Sequence, residues 1–561
     1  MADMKVLLVA INAKYIHTSL SVRTLKAYAA SSNVEFAEYT INERAEDILR
    51  SIYLKKANAV LFSCYIWNIK MCLDVADMLK KVSPETKIIF GGPEVSYDDT
   101  YIESYGFVDG IMRGEGEETF REWLEKGEDI KGMTYRCKGE IIRNEDREPM
   151  HDITSIPFPY TSEDLENNKG KLIYYESSRG CPFRCSYCLS STTHNVRFRD
   201  METVKREMMF FINHDVRIVK FVDRTFNADR KRSAQLIRFL IDHSKNTTFH
   251  FEVAADLIDD ELISLFKIAP EGLFQLEIGV QSTNEHTISS IDRKTDFELI
   301  KKAVGKLHKA GGVHMHLDLI AGLPFEDIDS FKKSFDDVFA LHPHVLQLGF
   351  LKLLRGTKIR GEAEKYGYKY SAKPPYEVLV NDFLSYDDII LLKGIEEVFE
   401  KYYNSGVFKN SMEYLLKSYS SAFDLFAELW QFYSRGGYHL AGQSRNNLYD
   451  ILSRFSDDEL FRDVLKLDYF INNKGANTPS WSLREYNREL LNKRFEILTE
   501  DFVAEHLSEY NGKAAKEIIK YLTFEEFEYD VLGNGEKKRN IIIFDNKYDR
   551  RIRICKDLKQ S

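Results

Sequence analysis

The chain has 561 residues, 43% of them hydrophobic and 30% charged, the balance of a folded protein of three or four domains and too apolar for a disordered one. Its 78 basic and 88 acidic residues leave a net charge of −10, which argues against a broad nucleic-acid-binding face. No apolar run reaches the roughly 18 residues of a membrane-spanning helix, no secretory leader is visible, and seven cysteines are too sparse for a disulfide scaffold, so a cytoplasmic protein is expected.

Residues 1–130 alternate short apolar runs with amphipathic stretches. Strands are expected at 5–11, 35–39, 59–63, 87–90 and 110–113, with helices at 19–30, 45–55, 69–81 and 117–126. Strands spaced by helices of this length imply right-handed crossovers and a parallel sheet, here an open, doubly wound, flavodoxin-like α/β domain. Residues 131–170 are polar, with little periodicity, and read as a linker. From residue 171 a second alternation begins. Strands are expected at 172–176, 218–222, 248–253, 273–279, 313–319 and 344–350, with helices such as 201–213, 229–243, 297–310 and 328–341 between them. Six βα units over 171–375 make a partial (β/α)6 barrel, open on one side to a large substrate. Residues 376–561 form a mainly α C-terminal domain rich in Tyr and Phe. Helices are expected at 386–403, 412–435, 446–461 and 483–498, and strands at 526–531 and 540–545 about Gly533-Asn534-Gly535.

The strongest chemical signal is Ser177-Ser178-Arg179-Gly180-Cys181-Pro182-Phe183-Arg184-Cys185-Ser186-Tyr187-Cys188. Three cysteines spaced C-x3-C-x2-C on a short loop after the first barrel strand let three thiolates meet one small object. A 4Fe–4S cube needs four ligands, so three leave one iron free. The bland alternative is structural zinc, with His194 as the nearby fourth ligand.

This stretch resembles the radical S-adenosylmethionine (SAM) enzymes, whose signature is C-x3-C-x-aromatic-C, with Tyr187 as the aromatic. The resemblance implies that Cys181, Cys185 and Cys188 hold a 4Fe–4S cluster. The open iron would bind SAM, whose reductive cleavage yields a 5′-deoxyadenosyl radical, and the Tyr187 region would lie against adenine. The likeness continues through Phe251-Glu252-Val253, Gly279-Val280-Gln281-Ser282, Arg293 and Asp318-Leu319-Ile320-Ala321-Gly322-Leu323-Pro324, which resemble the oxygen-independent coproporphyrinogen oxidase branch. By that comparison Glu252 meets the methionine or ribose part of SAM, Gln281 and Arg293 brace carboxylate and ribose, and Asp318 faces a ribose hydroxyl. The chemistry agrees, since a carboxylate suits an ammonium or diol and Arg suits a carboxylate. Where many relatives carry Gly-Gly-Glu, this chain reads Asp223-Arg224-Thr225-Phe226, which makes Asp223 either a further SAM contact or the cap of the next helix.

A doubly wound domain ahead of such a barrel resembles the cobalamin-binding branch of these enzymes. Ser63 closes the third strand and Gly91-Gly92 the fourth, at the carboxyl edge where open α/β sheets bind ligands. The resemblance implies that these three line the slot for the cobalamin nucleotide tail. The Asp-x-His-x-x-Gly motif that ligates cobalt is absent. His17, in its place, is expected to touch phosphate, substrate or a helix start, with Thr18 or Ser19 as the cap. Tyr65-Ile66-Trp67 reads either as a cover for the corrin or as core, and Gly114-Glu115-Gly116-Glu117 as an anion nest or a helix cap.

The implied function is cobalamin-dependent methyl transfer to an unactivated carbon or phosphorus. A ring closure, rearrangement or other redox outcome with the same cofactors is the second reading. A methylthiotransferase-like RNA modifier or an iron–sulfur sensor fits less well: the first lacks a second cysteine trio before residue 130, and the second needs no SAM contacts. The expected partners are a reductant such as flavodoxin or ferredoxin and a small-molecule or peptide substrate, with neither nucleic acid nor membrane. The last 185 residues resemble an uncharacterised domain that accompanies this branch.

Overall fold

The computed structural model describes residues 4–193, 195–482 and 494–554, and the chain divides into two compact units, Met1–Ile389 and Ile390–Ser561. The first unit opens with five parallel strands: β1 (Val6–Asn12), β2 (Val34–Thr40), β3 (Ala59–Ser63), β4 (Lys87–Gly91) and β5 (Gly110–Met112). Their order, β2-β1-β3-β4-β5, is that of a flavodoxin-like sheet, with the reversal of winding between β1 and β3. Helices cover both faces. Leu7, Val9, Ile11, Val60 and Phe62 therefore enter one core, while Val6, Leu8, Ala10, Ala59 and Leu61 enter the other. This double burial is why the strands read as unbroken apolar runs.

The polar stretch from 131 is not a bare linker. β6 (Met133–Cys137) and β7 (Glu140–Arg143) form a hairpin that extends the sheet antiparallel to β5. Lys138 and Gly139 make the two-residue turn with φ of 50° and 88°, as primed hairpin turns require. An edge hairpin buries only part of its surface, so its sequence lacks the apolar period of a core strand.

The second alternation builds six parallel strands: β8 (Leu172–Tyr175), β9 (Ile218–Phe221), β10 (Thr248–Val253), β11 (Phe274–Gln281), β12 (Val313–Ala321) and β13 (Val345–Phe350). They run in sequential order, each hydrogen-bonded to the next. The crossover helices Met201–Asn213, Arg230–His243, Asp260–Ile268, Phe297–Ala310 and Ile328–Phe339 each start behind an aspartate whose carboxylate accepts a backbone N–H of the first turn: Asp200, Asp229, Asp259, Asp296 and Asp327. The nine-residue Asp260–Ile268 helix carries too short a period to stand out in the sequence. The free edge of β8 is covered by the loop after β1: Leu172 N donates to Ile16 O at 2.8 Å and Thr18 Oγ1 to Leu172 O at 2.8 Å.

The second unit contains helices Lys409–Leu416, Ala422–Arg435, Arg445–Leu452 and Glu459–Asn472, and an antiparallel sheet of β14 (Leu522–Tyr529), β15 (Lys537–Asp545) and β16 (Arg550–Ile554). Two long helices expected from the sequence are each split, because Ser421 and Asp458 restart the backbone as N-caps. The helix expected at 483–498 falls on residues 483–493, outside those described.

Candidate active site

The cysteine loop rises from the end of β8. Its neck is a short antiparallel pairing of Ser178–Arg179 with Arg197–Phe198. Gly180 closes it with φ of 101°, and a Cβ there would lie 2.4 Å from the Asn195 carbonyl, so only glycine fits. Cys185 is buried, and Cys181 and Cys188 are half-buried. Cys181 Sγ lies 3.4 Å from Thr225 Oγ1, and Cys188 Sγ accepts the Ser190 N–H at 3.4 Å. Arg293 donates to Cys185 Sγ at 3.5 Å, to the Tyr187 hydroxyl at 3.3 Å and to the Gly279 carbonyl at 2.6 Å. Burial pushes the Cys185 thiol up, and the Arg293 guanidinium opposes it. Among the described residues no three His, Cys, Asp or Glu side chains surround a single-ion position, and His194, the fourth zinc ligand of the alternative reading, lies outside them. A donor set of three free sulfurs suits a cube, in which each thiolate takes a different iron.

Below this loop the strands alternate buried and half-buried residues, so that Glu252 of β10, Glu277 and Gln281 of β11 and Asp318 of β12 share the open interior face. The register slips between Gly279 and Gln281, and Gln281 takes a left-handed φ of 73°. This bulge re-aims the Gln281 side chain at the strand end. Gln281 Oε1, Asp318 Oδ1 and Arg293 Nε are buried without hydrogen-bond partners among the described residues. Burial, then the neighbouring Glu277 and Glu252 charges, push the Asp318 carboxyl up to about 8. Burial likewise pushes Glu252 up, against the attraction of Arg224. Glu277 is instead held at about 2: burial raises it, but His250 and Lys220, at 3.0 and 2.9 Å, outweigh that. The orphaned atoms form a patch short of donors and acceptors, as a polyfunctional zwitterion would require.

Asp223 does not cap the next helix. It is fully buried and accepts from Ser177 N (2.8 Å), Ser177 Oγ (2.6 Å) and Ser178 Oγ (2.6 Å), pinning the start of the cysteine loop, while Asp229 caps the helix. His17 bonds the Tyr174 hydroxyl at 2.6 Å, and Ser19 makes no side-chain cap. Asp256, which the sequence did not single out, has a buried, unpartnered Oδ1 and lies in the field of Arg293. Its position just past β10 was the only signal.

On the first sheet, Ser63 and Gly91 end β3 and β4 side by side in register. A Cβ on Gly91 would meet only ordinary contacts with Met112, at 3.6 Å and beyond, so a small side chain fits there. Gly92 differs: its φ is 106° and a Cβ would lie 2.6 Å from the Cys64 carbonyl, so it shapes the loop. Tyr65 and Trp67 stack with ring centroids 4.3 Å apart just past Ser63, and Trp67 stays half exposed. The edge therefore presents small residues and a flat aromatic surface, which suits a broad planar ligand.

Family models match along the chain as a B12 binding domain over residues 6–124, the Radical SAM superfamily over 175–338 and a protein of unknown function, DUF4080, over 364–544. The chain thus carries, in order, a region that matches a B12 binding domain and one that matches the Radical SAM superfamily. Cobalamin-dependent radical SAM methyltransferase TokK of Streptomyces tokunonensis is 25% identical over 321 residues, 52% of this chain and 47% of that one. A 2-(S-pantetheinyl)-carbapenam-3-carboxylate methyltransferase of Streptantibioticus cattleyicolor is 25% identical over 310 residues, 51% of this chain and 45% of the relative. The chain thus spans about half the length of these curated relatives. In fold it is similar to the cobalamin-dependent SAM radical enzyme OxsB with aqua-cobalamin and SAM bound (TM-score 0.58, 14% identity, 86% of this chain and 85% of that one). It is also similar to the radical SAM methyltransferase TsrM of Kitasatospora setae with cobalamin and a 4Fe–4S cluster bound (TM-score 0.55, 14% identity, 67% and 79%). Among the described residues no helix is long and apolar enough to cross a membrane.

Proposed function

We propose that this protein is a cobalamin-dependent radical SAM enzyme that transfers a methyl group to an unactivated centre. The observation that carries the reading is the meeting of three free cysteines with the buried, unpartnered polar atoms of Gln281, Arg293 and Asp318 on one barrel face. When bound, the cluster supplies one electron for cleavage of SAM and cobalamin supplies a transferable methyl group.

Cys181, Cys185 and Cys188 hold the cluster, with Arg293 favouring the thiolate form of Cys185. Glu252 and Asp318 take the ammonium and ribose hydroxyls of SAM, and Gln281 and Arg293 take its carboxylate and ribose, with Tyr187 fixing the guanidinium. Ser63, Gly91 and Gly92 shape the cobalamin slot. The interior beneath carries Lys220, Glu277 and His250 instead of the branched apolar side chains that fill a closed barrel, which leaves a polar floor under the reacting groups. The substrate is a small molecule or peptide, and the electron comes from a flavodoxin- or ferredoxin-like donor. A relative from Methanocaldococcus jannaschii named as a putative methylthiotransferase aligns with 49% of the chain, but residues 4–130 contain only Cys64 and Cys72, too few thiolates for a second cluster.

The test is anaerobic purification with iron, sulfide and cobalamin quantified, then incubation with dithionite and methyl-labelled SAM. Expected are one cluster and one corrinoid per chain, 5′-deoxyadenosine, and label in a cell-extract product. A preparation that holds iron but never cleaves SAM sinks the radical reading. Cleavage without label in any product points to the ring-closure or rearrangement outcome.

A further inference from the structure

The loop Gly114-Glu115-Gly116-Glu117, which follows β5, is neither an anion nest nor a simple cap. Its carboxylates are spent on the barrel. Glu115 accepts both terminal nitrogens of Arg197, at 3.0 and 2.6 Å, and lies 3.3 Å from Arg179. Glu117 accepts from Arg179 at 2.7 Å, and the same guanidinium reaches Glu176 at the end of β8, also at 2.7 Å. Arg179 and Arg197 are cross-strand partners. They form the neck of the cysteine loop, with Cys181 two residues beyond Arg179. One carboxylate of the B12 binding domain thus holds both strands of the neck that carries the cluster ligands.

A second tie leaves the neighbouring loop. Glu94, two residues after Gly92, is buried and accepts hydrogen bonds from Tyr101 (2.6 Å) and from Tyr376 of the segment after the barrel. Arg355 of that segment bonds Tyr376 at 3.0 Å and Asp98 at 2.6 Å. A few residues on, Ile359 N donates to the carbonyl of Ser186, between Cys185 and Tyr187, at 3.0 Å. Two loops at the carboxyl edge of the first sheet are therefore tied to the cysteine loop, the one after β5 directly at its neck and the one after β4 through residues 355–376. Bidentate, partly buried Arg–carboxylate pairs fix direction as well as distance.

We propose that Glu115 is a positioning residue that registers the corrin slot against the cluster loop, and so sets the separation and angle between the two cofactors. The inference rests on the function proposed above. It touches neither cofactor's ligands, so its consequences separate from those of that reading.

The test uses the full chain loaded with cluster and cobalamin, as wild type, Glu115→Gln and Glu115→Ala, with Arg197→Lys as a second route to the same contact. The readout is the distance distribution between cob(II)alamin and the reduced cluster, from pulsed electron paramagnetic resonance. Expected are iron and cobalamin contents near wild type, a broadened distribution in all three variants, and label transfer slowed by about a hundredfold with the KM for SAM little changed. A narrow, unchanged distribution in Glu115→Ala overturns the proposal. So does complete loss of iron or cobalamin in Glu115→Gln, which would make the residue part of a binding site or of the fold. A wild-type protein that takes up no cluster or no cobalamin refutes the proposed function itself, and the inference with it.

Discussion

Each cysteine of the loop meets a different environment, and the chemistry of the loop follows from that asymmetry. Cys185 is the buried one and the one that Arg293 touches, so its loss removes both a ligand and the partner of a buried cation. We expect Cys185→Ala to lose the visible absorption of the cluster and all SAM cleavage while keeping cobalamin, as metal and corrinoid assays would record. Asp318 gives a pH signature. Its folded value of about 8 stands far above the ordinary 3.8, so it favours the folded state fully below pH 4 and loses that contribution as pH rises toward 8. Wild type without cofactors should therefore lose stability relative to Asp318→Asn across pH 4–8, at a slope of up to about 1.4 kcal/mol per pH unit. Parallel denaturant titrations check it; equal slopes in the two proteins would show that the carboxyl is not proton-loaded.

At the scale of the element, the end of β8 depends on Asp223. This buried side chain accepts one backbone N–H and two hydroxyls from Ser177 and Ser178, all donors that the interior leaves without water. Asp223→Ala should cost about 3 kcal/mol or more and reduce cluster uptake, seen as a lower unfolding midpoint and a lower iron content. The glycine pair after β4 separates into two roles. A Cβ on Gly91 would make only ordinary contact with Met112, whereas one on Gly92 would strike the Cys64 carbonyl. Gly91→Leu should leave the fold and cluster in place and abolish cobalamin retention, whereas Gly92→Ala should destabilise the loop itself. Cobalamin carried through purification by Gly91→Leu would move the slot elsewhere on the sheet.

For the whole molecule, a ligand that binds only the folded state stabilises it by mass action. Cobalamin at about 100 times its Kd should add roughly 2.7 kcal/mol, read as slower hydrogen exchange in β3 and β4. The sequence by itself determined the βα alternation of both sheets, the six-strand count of the barrel and the cysteine loop. Those features are local: apolar runs, helix periods and a ligand spacing are written within a few residues of one another. Glu252, Gln281, Arg293 and Asp318 were singled out through a resemblance; the first, second and fourth lie on neighbouring barrel strands, and Arg293 lies past the short helix that follows β11. Only the tertiary structure decided what their neighbours do. Asp223 became a pin, Gly91 and Gly92 parted in role, the polar stretch after Lys131 became an edge hairpin, and Glu115 left its own helix to grip two arginines some 60 to 80 residues away. A charged or polar side chain has several satisfying partners within its own segment. Which one it takes depends on what long-range packing brings within about 3 Å, and no local pattern encodes that.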